Sequence, residues 1–305
     1  MTDFNVANDI TELIGKTPIV KINRLTKSDE ATIYAKLEWY NIGGSIKDRM
    51  ALNLIEYAEA AGKINKEKII LEATSGNAGI SLAMIAAAKG YRMTIVMPES
   101  VSVERRRLIK AYGAELVLSP GKKGTGGAIE MKEKMLQENP DKYINVDQFK
   151  EPANILAHYQ TTGKELWEQM KGKLDLVVIG IGTSGTGVGT SMRLKFYDSK
   201  IKIIGVTPKL GVSIQGIRNP KEPYPTQLFR EEWFDEVVEI AETDIKNIFE
   251  LARRIAREEG ILMGISGAAV MHVALQKAKE IGKGKTIVTI IPDDGMKYLS
   301  TSLFE

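Results

Sequence analysis

Residues 43–49 read Gly-Gly-Ser-Ile-Lys-Asp-Arg and put one lysine, Lys47, at the start of a helical pattern continued by Met50, Leu54 and Tyr57. The paired glycines let the backbone turn sharply and come close to a ligand. A cation is mildly disfavoured at the partly positive end of a helix, so the placement needs a chemical reason. An amine held there gives up its proton more readily, which suits condensation with a carbonyl group. Two further segments carry complementary chemistry. Ile69-Ile70-Leu71-Glu72-Ala73-Thr74-Ser75-Gly76-Asn77-Ala78-Gly79 and Val177-Val178-Ile179-Gly180-Ile181-Gly182-Thr183-Ser184-Gly185-Thr186 each read as strand, small-hydroxyl turn and helix start. Each offers free backbone N–H groups and hydroxyls at a helix N-terminus, a ready anion site. Two such turns suggest a ligand assembly with two anionic groups.

Other chemistries are closed off by composition. Cysteine is absent and histidine occurs only twice, at His158 and His272, which excludes thiolate nucleophiles, disulfides and Cys-rich metal sites. Each lone histidine reads as structural or surface. The pair Asp293-Asp294 reads as solvated or helix-capping, so no metal site is expected. With 42 basic against 39 acidic residues the net charge is +3, and no basic block points to nucleic acid. No apolar run reaches the roughly 18 residues of a membrane span. Met1-Thr2-Asp3-Phe4-Asn5 opens without leader features, so a cytoplasmic enzyme is expected. Catalysis must rest on Lys, Ser, Thr, Tyr, carboxylates or a bound cofactor.

The elements that position these residues alternate. Short apolar runs predict strands at 33–37, 69–72, 93–97, 115–118, 143–146, 176–181, 202–206, 236–240 and 286–291. Helical periodicity is read at 47–60, 78–89, 101–111, 127–138, 155–170, 187–196, 245–259 and 268–281. That alternation predicts an α/β fold with mostly parallel sheets, divided between two lobes because nine strands would make a large single sheet. We place the smaller lobe at 39–148 and the larger at 1–38 plus 149–305, with the polar stretch 147–152 as the boundary. Residues 208–225 hold four prolines and little periodicity, and read as a long functional loop.

Gly180, Gly182 and Gly185 also fit the dinucleotide pattern G-x-G-x-x-G, but the next strand ends in Thr207-Pro208, without an acidic residue for a ribose hydroxyl. No G-x-x-x-x-G-K-[ST] motif occurs. What remains is a cradle for one phosphate, and a ligand with one phosphate and one aldehyde, pyridoxal phosphate, would join it to Lys47.

Matching motifs run along nearly the whole chain. Gly15-Lys16-Thr17-Pro18-Ile19-Val20, Gly44-Ser45-Ile46-Lys47-Asp48-Arg49, Thr74-Ser75-Gly76-Asn77-Ala78-Gly79, Met97-Pro98-Glu99 with Glu104-Arg105-Arg106, the 182–186 loop, the 264–269 segment and Tyr298-Leu299-Ser300-Thr301 together resemble the pyridoxal-phosphate enzymes of fold type II. Within that family the chain is similar to the cysteine synthases. The resemblance implies a tryptophan synthase β-like fold with the cofactor between the lobes, and a homodimer. It implies that Lys47 holds the cofactor as a Schiff base and then serves as base on the substrate's α-proton. Asn77 would bond the ring oxygen, Gly182, Thr183, Ser184, Gly185 and Thr186 the phosphate, and Ser266 would face the pyridine nitrogen. Thr74, Ser75, Gly76 and Gln148 would hold the substrate carboxylate, with Gly216 in the substrate site. A neutral Ser266 makes the ring a weaker electron sink than an aspartate would, which favours β-elimination followed by addition of a sulfur nucleophile.

Departures include Ile42 and Ala73 where prolines are usual, Ala78 for threonine, Ser184 for glycine and Thr207 where glutamate is frequent. Another concerns the substrate. Ile214-Gln215-Gly216-Ile217-Arg218-Asn219 carries Arg218 where acetylserine-using members tend to have glycine, and O-phosphoserine sulfhydrylases resemble this chain there. A guanidinium reads a phosphate dianion bidentately and gains little from an acetyl group. O-Phospho-L-serine is therefore the expected donor, with O-acetyl-L-serine possible and a sulfide-type donor as co-substrate. The competing role for Arg218 is an ion pair with Glu222. Two other functional readings stay open: a cystathionine β-synthase-like enzyme using homocysteine, and a catalytically silent regulatory homologue.

Overall fold

The computed structural model describes residues 6–305; Met1 to Asn5, where no leader pattern is read, lie outside the described residues. The chain divides into two compact units, 6–16 with 40–146, and 17–39 with 147–305. The residues before Thr17 group with the first unit, whereas the sequence reading put them in the larger lobe. Gly15 N–H donates to Asn41 Oδ1 at 2.8 Å, which holds that segment beside the start of the lysine loop. Gln148 likewise lies in the second unit.

In chain order the elements are β1 (Ile19–Lys21), β2 (Thr32–Leu37), α1 (Lys47–Ala60), β3 (Ile69–Ala73), α2 (Asn77–Lys89), β4 (Arg92–Pro98), α3 (Val103–Ala111), β5 (Glu115–Ser119), α4 (Gly124–Glu138) and β6 (Tyr143–Ile144). They continue with α5 (Ala153–Gln160), α6 (Thr162–Gln169), β7 (Leu176–Gly180), α7 (Gly185–Tyr197), β8 (Lys202–Pro208), β9 (Glu236–Ile240), α8 (Ile245–Glu259), α9 (Ile265–Ile281) and β10 (Thr286–Ile291). The first unit holds a four-stranded parallel sheet in the order β5-β4-β3-β6. The second holds six strands in the order β1-β2-β10-β7-β8-β9, all parallel except the β1 edge, which runs antiparallel to β2. Among the described residues, no helix is long and apolar enough to cross a membrane.

The interior strands β3, β7 and β10 are mostly apolar, with Glu72 and Thr289 buried among them, because a parallel sheet covered by helices buries both faces. Glycines end α2 and α8: Gly90 and Gly260 take φ of +70° and +72°, a backbone region that costs other residues about 1 kcal/mol. Two expectations need correction. The helix read across 155–170 is two helices, broken at Thr161, whose hydroxyl bonds Ala157 O at 2.6 Å while Gly163 packs on Arg193. The strand read at 143–146 pairs only at Tyr143–Ile144.

The helix that carries the phosphate-type loop is braced at its far end. Asp235 accepts from Lys195 Nζ on α7, Lys202 Nζ on β8 and Ile203 N–H. Partial burial opposes ionisation of this carboxyl, but the three donors outweigh it and hold its pKa at about 2.

Candidate active site

In the first unit, Lys47 is the first residue of α1, half-buried, with its N–H donating to Ser45 Oγ at 3.3 Å. Its neighbour Asp48 is fully buried and builds the loop: the carboxylate accepts from Gly43 N–H at 2.6 Å and from Ser81 Oγ at 2.5 Å on α2. A Cβ on Gly43 would lie 2.4 Å from that carboxylate, so only glycine fits there. Gly44 supplies the positive φ of the turn, +73°. The sequence reading saw the glycines but not Asp48 and Ser81, which tie the lysine helix to the helix of the second motif.

The Thr74–Asn77 stretch lies in the same unit, between β3 and α2. No side chain caps the start of α2, the kind of helix N-terminus that suits an anion. Thr74 is buried and its hydroxyl accepts Gly76 N–H at 3.1 Å, which leaves the hydroxyl proton to donate. Ser75 is exposed, and Asn77 is half-buried at the helix start. Gly79 is small because Thr74 Cγ2 would sit 2.7 Å from a Cβ there.

The second unit brings together Gln148, the 182–186 loop, Gly216, Arg218 and Ser266. Ser184 heads α7 with φ +75°, a left-handed conformation unusual for serine. Its hydroxyl is buried and without a hydrogen-bond partner. Asn154 Nδ2 bonds both Gln148 O at 2.8 Å and Thr183 Oγ1 at 2.9 Å, so one amide fixes the backbone at Gln148 and the loop. Asn154 Oδ1 would lie 1.9 Å from a Cβ on residue 185, which requires Gly185. Thr226 Oγ1 donates to Thr183 O at 2.7 Å. His158, expected to be merely structural or surface, is buried and bonds Thr186 Oγ1 through Nε2 at 3.2 Å and Thr162 Oγ1 through Nδ1 at 2.9 Å. Asn154, His158 and Thr226 brace the loop from outside it, and nothing in their local sequence marks that role.

The floor of this half-site is bare backbone. A Cβ on Gly216, at φ +99°, would fall 2.8 Å from Ser266 Oγ, and one on Gly182 would fall 3.1 Å from Gly216 O. The loop at one end and Ser266 at the other are thus built against the same glycine. Ser266 is on the first turn of α9, whose start is clamped by Asp293: Gly264 N–H bonds Asp293 O at 3.1 Å, and Tyr298 OH donates to Asp293 Oδ2 at 2.8 Å. Asp293, expected to be solvated or capping, is 1% exposed; the strand end is enclosed by Tyr298 and the α9 turn.

Arg218 has its backbone pinned beside the loop, its N–H on Ile181 O at 2.9 Å and its O accepting from Thr207 Oγ1 at 3.0 Å. Nη2 bonds Pro223 O at 2.8 Å and reaches Glu222 at 3.3 Å, so the competing ion pair is present. Nη1 is buried and has no partner.

Comparison with known proteins places this architecture. A family model described as pyridoxal-phosphate dependent enzyme matches residues 10–293. The chain belongs to that family. It is 43% identical over 309 aligned residues to a cysteine synthase of Staphylococcus aureus (strain N315), covering 97% of each chain. Among solved structures it is similar to the cysteine synthase (OASS) of Entamoeba histolytica, with TM-score 0.91 and 38% identity over 100% of this chain and 92% of that one. It is also similar to a hydrogen sulfide-producing enzyme of Fusobacterium nucleatum, with TM-score 0.90 and 40% identity over 96% of this chain and 100% of that one.

As a pyridoxal-phosphate dependent enzyme the protein uses pyridoxal 5'-phosphate, and the second unit's residues fit its phosphate and ring. The orphaned Ser184 hydroxyl and the uncapped N-terminus of α7 offer donors for a phosphate, while Gly182, Gly185 and Gly216 let the loop, Asn154 and Ser266 pack closely around it. The strained serine makes a prediction. Ser184→Gly should stabilise the cofactor-free protein by about 1 kcal/mol, because the left-handed backbone no longer opposes a Cβ. It should also weaken cofactor binding about five-fold through the lost hydroxyl. Thermal melts of the apo form and a cofactor titration followed by absorbance check both.

Proposed function

We propose that this chain is a cysteine synthase that replaces the β-substituent of an activated L-serine with sulfur, taking O-phospho-L-serine as its favoured donor. When bound, pyridoxal phosphate supplies the electron sink that weakens the bonds at the substrate's α and β carbons. The protein's own groups do the rest. Lys47 Nζ would hold the cofactor and would serve as the base for the substrate's α-proton. The amide-lined turn 182–186 would grip the phosphate, Asn77 would bond the ring oxygen, and the Ser266 hydroxyl would face the pyridine nitrogen without charging it. Thr74, Ser75 and Gly76, with Gln148, would hold the substrate carboxylate. That binding orients the α C–H bond toward the lysine.

The donor assignment is carried by one observation, the buried Nη1 of Arg218 with no partner. A buried donor on a charged group left unsatisfied costs at least about 1–3 kcal/mol, and a phosphate dianion on the substrate's β-oxygen removes that cost. An acetyl carbonyl offers one neutral acceptor and recovers less. The homocysteine-using alternative is compatible with Asp147-Gln148-Phe149 and with residues 158–162, but Tyr298-Leu299-Ser300-Thr301 favours the cysteine synthases.

The direct test supplies the holoenzyme with sulfide and either O-phospho-L-serine or O-acetyl-L-serine and measures L-cysteine formed. Cysteine from both, with the larger kcat/KM for the phosphorylated donor, is expected. Cysteine from neither donor, or product only when homocysteine replaces sulfide, overturns the reading.

A further inference from the structure

We infer that Thr125 is a substrate-positioning residue, which orients the Ser75 hydroxyl toward the substrate carboxylate; this rests on the reading above that Ser75 binds that carboxylate. Thr125 lies fifty residues downstream, in the Gly-Thr-Gly-Gly turn that opens α4, and the loop motif around Ser75 does not point to it. Gly124 takes φ +52° and ψ −148°, a region open to glycine alone, and a Cβ on Gly127 would fall 2.4 Å from Lys123 Cβ. These glycines wind the start of α4 tightly and bring Thr125 Oγ1 to 3.0 Å from Ser75 Oγ, within hydrogen-bond reach.

The direction of that bond matters. A hydroxyl carries one proton and two lone pairs. Ser75 is exposed, and once its proton goes to a carboxylate, its Oγ keeps a lone pair for the Thr125 proton. A carboxylate is acceptor-only, so the relay from Thr125 through Ser75 to the carboxylate is polarised in one sense, and each bond strengthens the next. The same helix holds the loop at its strand end. Lys132 on α4 is buried and faces the buried Glu72 at 4.0 Å, and Glu72 Oε1 accepts Ala73 N–H just before Thr74. Helix α4 therefore anchors both the root of the loop and its tip, and Thr125 is the tip contact.

Carboxylate binding is common to ground state and transition state, so loss of the relay should appear in KM and leave kcat. Thr125→Val keeps the shape and removes the hydroxyl; it is expected to raise KM for the amino-acid donor about five-fold, with kcat within about two-fold of wild type. The dissociation constant for L-alanine, a non-reacting amino acid read from cofactor absorbance, should rise by the same factor, while Thr125→Ser returns both toward wild type. Ser75→Ala separates the proposal from its foundation. If Ser75→Ala raises KM and Thr125→Val does not, Thr125 has no positioning role. If Ser75→Ala leaves KM and the L-alanine constant unchanged, the carboxylate reading itself fails and the relay with it. A Thr125→Val variant that loses kcat or melting temperature at constant KM also overturns the proposal, and Thr125→Ala serves where the valine variant does not fold.

Discussion

Replacing Lys47 with alanine is expected to lower kcat by at least about 1,000-fold, the scale of removing a positioned acid–base group that also anchors the reactive cofactor. The fold should survive. Lys47 is half-buried at the first helical position, and the turn before it is held by other groups, the Asp48 carboxylate on Gly43 N–H and Ser81 Oγ. Alanine is also the best helix former, so α1 loses nothing in propensity. Thermal midpoints of the apo proteins should therefore agree within a few degrees. Lys47→Arg should be equally inactive, because a guanidinium keeps the charge but cannot give up a proton or condense with an aldehyde. Turnover of the alanine variant within ten-fold of wild type would remove the lysine from the mechanism.

The second large effect belongs to Arg218. Arg218→Ala should reduce kcat/KM for O-phospho-L-serine about 30- to 100-fold, the value of one or two charge-assisted hydrogen bonds to a dianion. The acetylated donor should change by less than about three-fold, since it offers no charge for the guanidinium to meet. The competing role predicts otherwise. If Arg218 serves only to hold Glu222 and Pro223 O, at 3.3 Å and 2.8 Å, its loss perturbs the loop for both donors alike. The ratio of the two effects, read from kinetics with each donor, distinguishes a phosphate reader from a loop brace.

The division between what the chain's order of residues reveals and what it hides follows physical lines. Runs such as Val177-Val178-Ile179 and Thr286 to Ile291 are legible as strands because a parallel sheet buried on both faces favours mostly apolar, β-branched residues. The glycine-hydroxyl turns are legible because close approach of backbone to an anion admits few residue types. The edge strand β1 is not legible: three residues after a Gly-Lys-Thr-Pro turn carry no period, and its pairing with 34–36 is settled by tertiary contact. The break at Thr161 is hidden for a similar reason, since threonine is tolerated in helices and only the approach of Gly163 to Arg193 makes the offset necessary. Within the site, Lys47, Ser184 and Ser266 can be proposed from motifs. The residues that hold them cannot: Asp48 through Ser81, Asn154 against Gly185, His158 on Thr186 and Asp293 under Gly264 are pairings across folded distance. Asp293 shows the hazard best, because an acid beside a second acid after a strand reads as solvated until Tyr298 is seen to cover it.

The central claim is that the Lys47 amine carries the cofactor. Reduction of the holoenzyme with sodium borohydride, followed by proteolysis and mass mapping of the peptides, fixes any such linkage permanently where it stands. The account predicts a single phosphopyridoxyl adduct, on the peptide containing Lys47 and absent from the Lys47→Ala protein. An adduct on a different lysine, or a reduced holoenzyme whose cofactor washes away without covalent attachment, would contradict it.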